Sequence, residues 1–144
     1  MSINSERDTM FTITQGIGTN FAAPDVCLVP AAPSPVPTPL VNIQMSSNSS
    51  PVVRNVKINF MPVLNKRSMG KLSMGDEPGT AGGGVVSHRF KGETKYMVGS
   101  VKCKIGGAPA VRSFTPTGQN CMGATQNCPG MAVAPSQIIM MIMV

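Results

Sequence analysis

The side chains able to do chemistry in this chain are few: one histidine, His88, four cysteines, Cys27, Cys103, Cys121 and Cys128, and six scattered carboxylates. A Cys-His pair or a Ser-His-Asp triad would have to use His88, and no local pattern supports either. Gly-x-Ser-x-Gly and His-Glu-x-x-His signatures are absent. The sequence therefore reads as non-enzymatic. Metal ligation suits these residues better, because thiolate sulfur and imidazole nitrogen are donors that zinc prefers, and His88 with three cysteines would complete a tetrahedral Cys3His site. Cys121 and Cys128 bracket a polar loop, CMGATQNC, and join His88 as the first candidates; Cys27 fits a ligand or a packing role equally. Zinc is the expected cofactor, although the spacing is not Cys-x-x-Cys. Cys103, on an expected strand, reads as a small buried residue.

Such ligands must be positioned by strands. No segment shows an apolar 3.6-residue period, and Gly or Pro interrupts almost every stretch long enough for a helix. Short β-prone runs remain: Thr9 to Thr14, Leu40 to Gln44, Val52 to Phe60, Val85 to Phe90, Tyr96 to Lys104, Ala110 to Ser113 and Gln137 to Val144. Turn-rich stretches separate them, so the expected fold is all-β, a single domain over 1–144 with a short flexible N-terminal segment of about eight residues. Pro24, Pro30, Pro33, Pro35, Pro37 and Pro39 mark an extended strap that is neither helix nor central strand. Its interleaved Val26, Leu28, Val29, Val36 and Leu40 imply that the strap is ordered against the body. Asn55 to Ser68 and Ser100 to Ser113 form a weak internal repeat, two similar hairpins each ending in a basic residue before Ser. The glycine-rich stretch from Gly75 is neither a P-loop nor a dinucleotide fingerprint, since no Gly-Lys-Ser/Thr and no helix pattern follow it. It reads as glycines permitting positive φ and close chain approach.

Charge is concentrated in the middle. Eleven of the twelve basic residues lie between Arg54 and Arg112, and no charged residue follows Arg112, so the net +6 belongs to one stretch. Single-stranded nucleic acid would require stacking aromatics among those cations, and only Phe60, Phe90 and Tyr96 stand there. A solvated basic face is expected, with no nucleic-acid partner. The N-terminus, MSINSERDTMFTITQGIG, contains no continuous hydrophobic stretch and so reads as neither secretory signal nor anchor, which favours reduced thiols. At the other end, IIMMIMV is uncharged and too short to span a bilayer, which takes about 20 apolar residues. Exposing it would forgo several kcal/mol at roughly 25 cal/mol per Å². It must therefore be covered on both faces, by this chain's core or by another chain.

Several segments together resemble one family. FAAPDVCLVPAAPSPVPTP (Phe21 to Pro39), GDEPGTAGGGVVS (Gly75 to Ser87), VKCKIGGAPAVRSFTPT (Val101 to Thr117) and VAPSQ (Val133 to Gln137) are similar to the PAAR-like domains that cap the spike of type VI secretion and related contractile injection machines. The resemblance implies a small β-rich cone, its base on a trimeric VgrG-type spike with one cap per trimer, its point piercing the target membrane without stable insertion. It implies residence in the cytoplasm before firing and secretion by the machine without a signal peptide. Related cones often hold a metal through histidines and a cysteine; here Gln119-Asn120 stands where His-Asn is common, so a metal would lean on His88, Cys121, Cys128 and Cys27. The apolar residues Ile138, Ile139, Met140, Met141 and Ile142 are the expected contact with the spike. The chain reads as a stand-alone tip with no C-terminal toxin domain. A second reading is an effector adaptor whose basic stretch recruits an acidic toxin or its chaperone.

Overall fold

The computed structural model describes residues 9–143; the expected flexible segment at the N-terminus lies outside the described residues. All-β is correct. Among the described residues the one helical element is a 3-10 turn at Ser46–Asn48. The largest sheet holds β2 (Thr19–Val29), β3 (Val36–Met45), β4 (Ser49–Ser50), β7 (Met69–Gly70), β8 (Gly83–Gly84), β9 (Glu93–Tyr96), β12 (Pro116–Cys121) and β13 (Cys128–Ala134). Its order is β3-β2-β13-β12-β9-β7-β4, with β8 pairing β2, and every pairing is antiparallel. Two hairpins stand apart, β5 (Val53–Ile58) with β6 (Met61–Val63) and β10 (Lys104–Ile105) with β11 (Ala108–Pro109). The terminal strands β1 (Thr9–Phe11) and β14 (Met141–Met143) pair with each other.

The proline-rich strap is corrected by this topology. Its first part is β2, an interior strand, and its second part is β3, the edge partner of β2. Pro24, the one proline inside β2, sits where the register shifts between Ala22 and Asp25, so the missing N–H falls at an interruption of the ladder. Pro37 and Pro39 lie opposite Leu28 and Val26 on an edge strand. Their spacing of two turns the same backbone side outward at each, so neither removes a hydrogen bond from the sheet.

The interior divides into two apolar clusters. Ile13, Leu64, Tyr96, Val111 and Ala132 form the first. Ile58, Val63, Ile105, Ala110 and Ile142 form the second, which joins both isolated hairpins to β14. The two segments of the weak repeat thus each supply a hairpin to one cluster. With no Trp and few other aromatics the clusters are small, and buried polar side chains fill the remaining interior. Asn20 donates to Gln44 Oε1 and to the Tyr96 hydroxyl, tying β2, β3 and β9. Pairing of this kind offsets the cost of burying these amide and hydroxyl groups.

The expected strands at Val85 to Phe90 and Tyr96 to Lys104 are mostly turns and irregular chain. Val85 and Val86 are exposed, because the preceding Gly83 and Gly84 fold the chain back so that Gly84 N–H donates to Arg89 O and His88 N–H to Gly84 O. The tail is shorter as a strand than its composition suggests. Gln137 Oε1 accepts from the N–H groups of Ile139 and Met140, and its Nε2 donates to Thr12 O and Met140 O, holding a turn before β14. No helix among the described residues is long and apolar enough to cross a membrane.

Candidate functional site: a buried carboxylate and thiol cluster

Alternation along β2 positions the site. Ahead of the irregularity at Pro24 the inward residues are Asn20 and Ala22; behind it they are Asp25 and Cys27. The extra residue changes the phase, so all four point to the same interior although their numbering parity differs. Asp25 and Cys27 are two apart on one strand face, and Asp76 reaches them from the glycine-rich loop. One donor atom from each of the three lies within 4.8 Å of the others, and all three residues are fully buried. Gly79 makes the approach possible: a Cβ there would lie 2.5 Å from Cys27 Cβ and 3.3 Å from its sulfur. A side chain on Gly84 would overlap the Asn127 amide.

Three asparagines converge on Asp25. Asn42 of β3 donates to Oδ2 at 3.0 Å, while Asn120 of β12, at 3.4 Å, and Asn127, just before β13, donate to Oδ1. Each asparagine is held from behind. Asn120 Oδ1 accepts from Gly92 N–H, Asn127 Oδ1 from the N–H groups of Val86 and Ser87, and the Asn42 amide also reaches Ser73 Oγ. Asp76 Oδ2 accepts from Lys91 N–H at 2.9 Å, whereas its Oδ1 has no partner.

Burial raises the Asp76 carboxyl from 3.8 to about 6; the Lys91 N–H opposes this and neighbouring Asp25 adds to it. Burial likewise pushes the Cys27 thiol up to about 12, helped by Asp25 and then Asp76. These thiols are protonated and poorly nucleophilic at neutral pH when no cation faces them. A nucleophile-and-base pair does not describe this geometry. A cation-binding or purely structural hub does.

Of the four expected metal ligands, Cys27 belongs to the cluster. Cys128 begins β13, buried, and its thiol is raised to about 12 by burial and by Asp25, Cys27, Asp76 and Cys121, so it borders the same centre. Cys121 is buried at the end of β12, donates to Gly118 O and is also raised by burial. His88 is exposed on the turn after β8 with φ 56°. Neither Cys121, Cys128 nor His88 is among the three clustered donors. Asp25, Asp76, Asn42, Asn120 and Asn127 are not among the ligands expected from the sequence. The available signal was the Asp-x-Cys spacing within PDVC, which puts two donors on one face of any strand.

The expected spike-contact residues divide. Ile142 is 4% exposed and packs in the second apolar cluster; Ile138 and Ile139 are 75% and 68% exposed. Met140 is half-buried and Met141 exposed. The tail is thus covered by its own chain on one face only. Four open surface hollows of about 370 to about 500 Å³ are lined by no histidine, cysteine or carboxylate.

A family model described as the toxin PAAR-like domain matches residues 18–130. The DNase toxin Tse7 of Pseudomonas aeruginosa is 34% identical over 114 residues, which cover 75% of this chain. The chain spans about 30% of the length of that relative. No solved structure gives a significant match.

Proposed function

The chain belongs to the toxin PAAR-like domain family, and from that premise we propose that its residues 1–144 form one non-enzymatic domain, the tip of a contractile injection machine of the type VI secretion kind. In this reading it caps a trimeric VgrG-type spike, one cap per trimer, helps to pierce the target membrane and leaves the cell with the machine. The observation that carries the proposal is the unpaired apolar face of the C-terminal segment. Ile138, Ile139, Met141 and Met143 are exposed in sequence neighbourhood, beside a buried Ile142 that anchors them. Exposed apolar residues gathered at one place mark an interaction surface, and methionine adapts to a partner of different symmetry. Ile138, Ile139, Met140 and Met141 are the proposed contact, with Ile142 supporting them from inside.

The test is co-purification of the chain with a spike trimer, read as mass of the complex. A one-to-three complex that is lost on Ile138→Asp with Ile139→Asp supports the tip. A chain that ignores the spike, or that binds it equally well with both substitutions, overturns the assigned surface.

A second reading, an adaptor for an acidic toxin or chaperone, is favoured by two adjoining hollows of about 410 and about 370 Å³. Arg54 borders both, with Arg67 lining the first and Lys57 the second. Capture of an acidic effector by a chain that stays off the spike would favour it. The nuclease activity in the relative's name is proposed to lie outside the matched segment, a reading supported by the match covering about 30% of that relative's length. DNA cleavage by this chain alone would refute that.

A further inference from the structure

We propose that Asp25, Cys27 and Asp76 hold a divalent cation of the zinc class, which staples the interior strand β2 to the glycine-rich loop. The three donors lie within 4.8 Å of one another inside the protein, an arrangement of two carboxylates and a thiol that is expensive to bury without positive charge. The ionised groups acting on Asp76 are Asp25 and Glu77, both anions. Asp25 meets three amide N–H donors, two at Oδ1 and one at Oδ2, and the Cys27 thiol, whose sulfur also accepts from the Asn120 amide. Loss of the thiol proton on ion binding frees the position that this proton holds.

Unsatisfied oxygens supply the independent observation. Asp76 Oδ1 has no hydrogen-bond partner, nor has Asn42 Oδ1, whose amide nitrogen already touches Asp25. Buried oxygen acceptors without donors cost about 1–3 kcal/mol each, and a cation satisfies acceptors that no protein donor reaches. Sulfur in the donor set selects a borderline-soft ion over magnesium or calcium, which take oxygen ligands. On binding, the Cys27 thiol gives its proton to solvent and any proton on Asp76 leaves with it, so the ion's two positive charges face three anionic ligands. Gly79, pressed against Cys27, fixes the distance between strand and loop over which the staple acts.

The test uses the isolated full chain, so its outcome is independent of whether the spike is the partner. The chain is purified without chelator, its metal content measured by mass spectrometry, and the stripped protein titrated with Zn(II) and with Co(II) as a coloured reporter. Expected are one equivalent per chain, a rise in Tm on adding Zn(II), and a thiolate-to-cobalt absorption. That absorption is lost in Cys27→Ser and kept in Cys128→Ser, and Asp76→Asn weakens Zn(II) affinity roughly tenfold or more. Wild-type protein that gives no thiolate-to-cobalt band and no Tm shift overturns the proposal without recourse to any variant. A band that survives Cys27→Ser but disappears in Cys128→Ser overturns the ligand assignment.

Discussion

Two regions of this small molecule solve the same shortage in opposite ways. Around Asp25, chain segments meet through polar groups: Asn42, Asn120 and Asn127 come from separate parts of the sheet and are each held in turn by backbone N–H groups or Ser73. At the terminal pair β1–β14, segments meet through aliphatic contact, with Ile142 inserted among Ile58, Val63, Ile105 and Ala110. A chain poor in large aromatics lacks enough apolar volume to bury everywhere, and hydrogen bonds that require particular partners take over in one half. The difference is one of tolerance. A hydrogen-bonded hub fails when one member is removed, since its partners stay buried and unpaired. An apolar cluster loses stability in proportion to the volume removed.

The largest effect expected from this contrast is at Asp25. Asp25→Ala removes one acceptor from each of the buried amides of Asn42, Asn120 and Asn127, which keep only Ser73 Oγ, Cys27 Sγ and Val26 O respectively, and should lower stability by about 3–5 kcal/mol, read as a shift of the denaturant midpoint at constant slope. A loss below about 1 kcal/mol would mean that the hub holds nothing and the two regions do not differ as described. Ile142→Ala should come next, costing about 2–4 kcal/mol through the cavity left in the second cluster. Far smaller is the expected stability effect of Ile138→Ser with Ile139→Ser, within about 0.5 kcal/mol, because both side chains are mostly in solvent. If that double variant melts with Ile142→Ala, the tail is part of the core and not a surface offered to a partner.

How far the sequence discloses these regions depends on the physics of each. The all-β class is legible because Gly and Pro leave no room for a helix, and the terminal apolar run announces itself by composition. Its one-sided burial is not legible, since pairing between Thr9–Phe11 and Met141–Met143 joins the two ends of the chain. Proline hides the strand: Pro37 and Pro39 belong to the strap in the sequence, yet their period of two is what an edge strand permits, while Pro33 and Pro35 lie in the connection before it. The phase change at Pro24 that turns Asp25 and Cys27 inward depends on which strands flank β2, a tertiary fact. The Asp-x-Cys spacing was present and carried little weight alone, because Asp76 is some fifty positions away and arrives only through the close fit of Gly79 on Cys27. His88, the one histidine, drew the metal reading toward an exposed turn.

Thiol chemistry gives the finest test of the contrast, because each region contains cysteines. Cys103 is partly exposed beside the second apolar cluster, whereas Cys27, Cys121 and Cys128 are buried in or near the polar hub. The thiolate is the species that alkylates, and burial together with neighbouring carboxylates pushes Cys27 and Cys128 up to about 12. At pH 8 only about one molecule in ten thousand carries either thiolate, by the tenfold fall per pH unit below the pKa. Cys121 is raised by burial as well, with Lys95 opposing and Glu93 adding to the shift. Iodoacetamide should therefore add one label, at Cys103, well before any second in the metal-stripped native protein, and mass spectrometry of the digest identifies it. Adding denaturant should release the other three together, since they share one hub. Native labelling of Cys27 or Cys128 as fast as Cys103 would show that the polar region opens more readily than the apolar one, reversing the order of tolerance argued from Asp25.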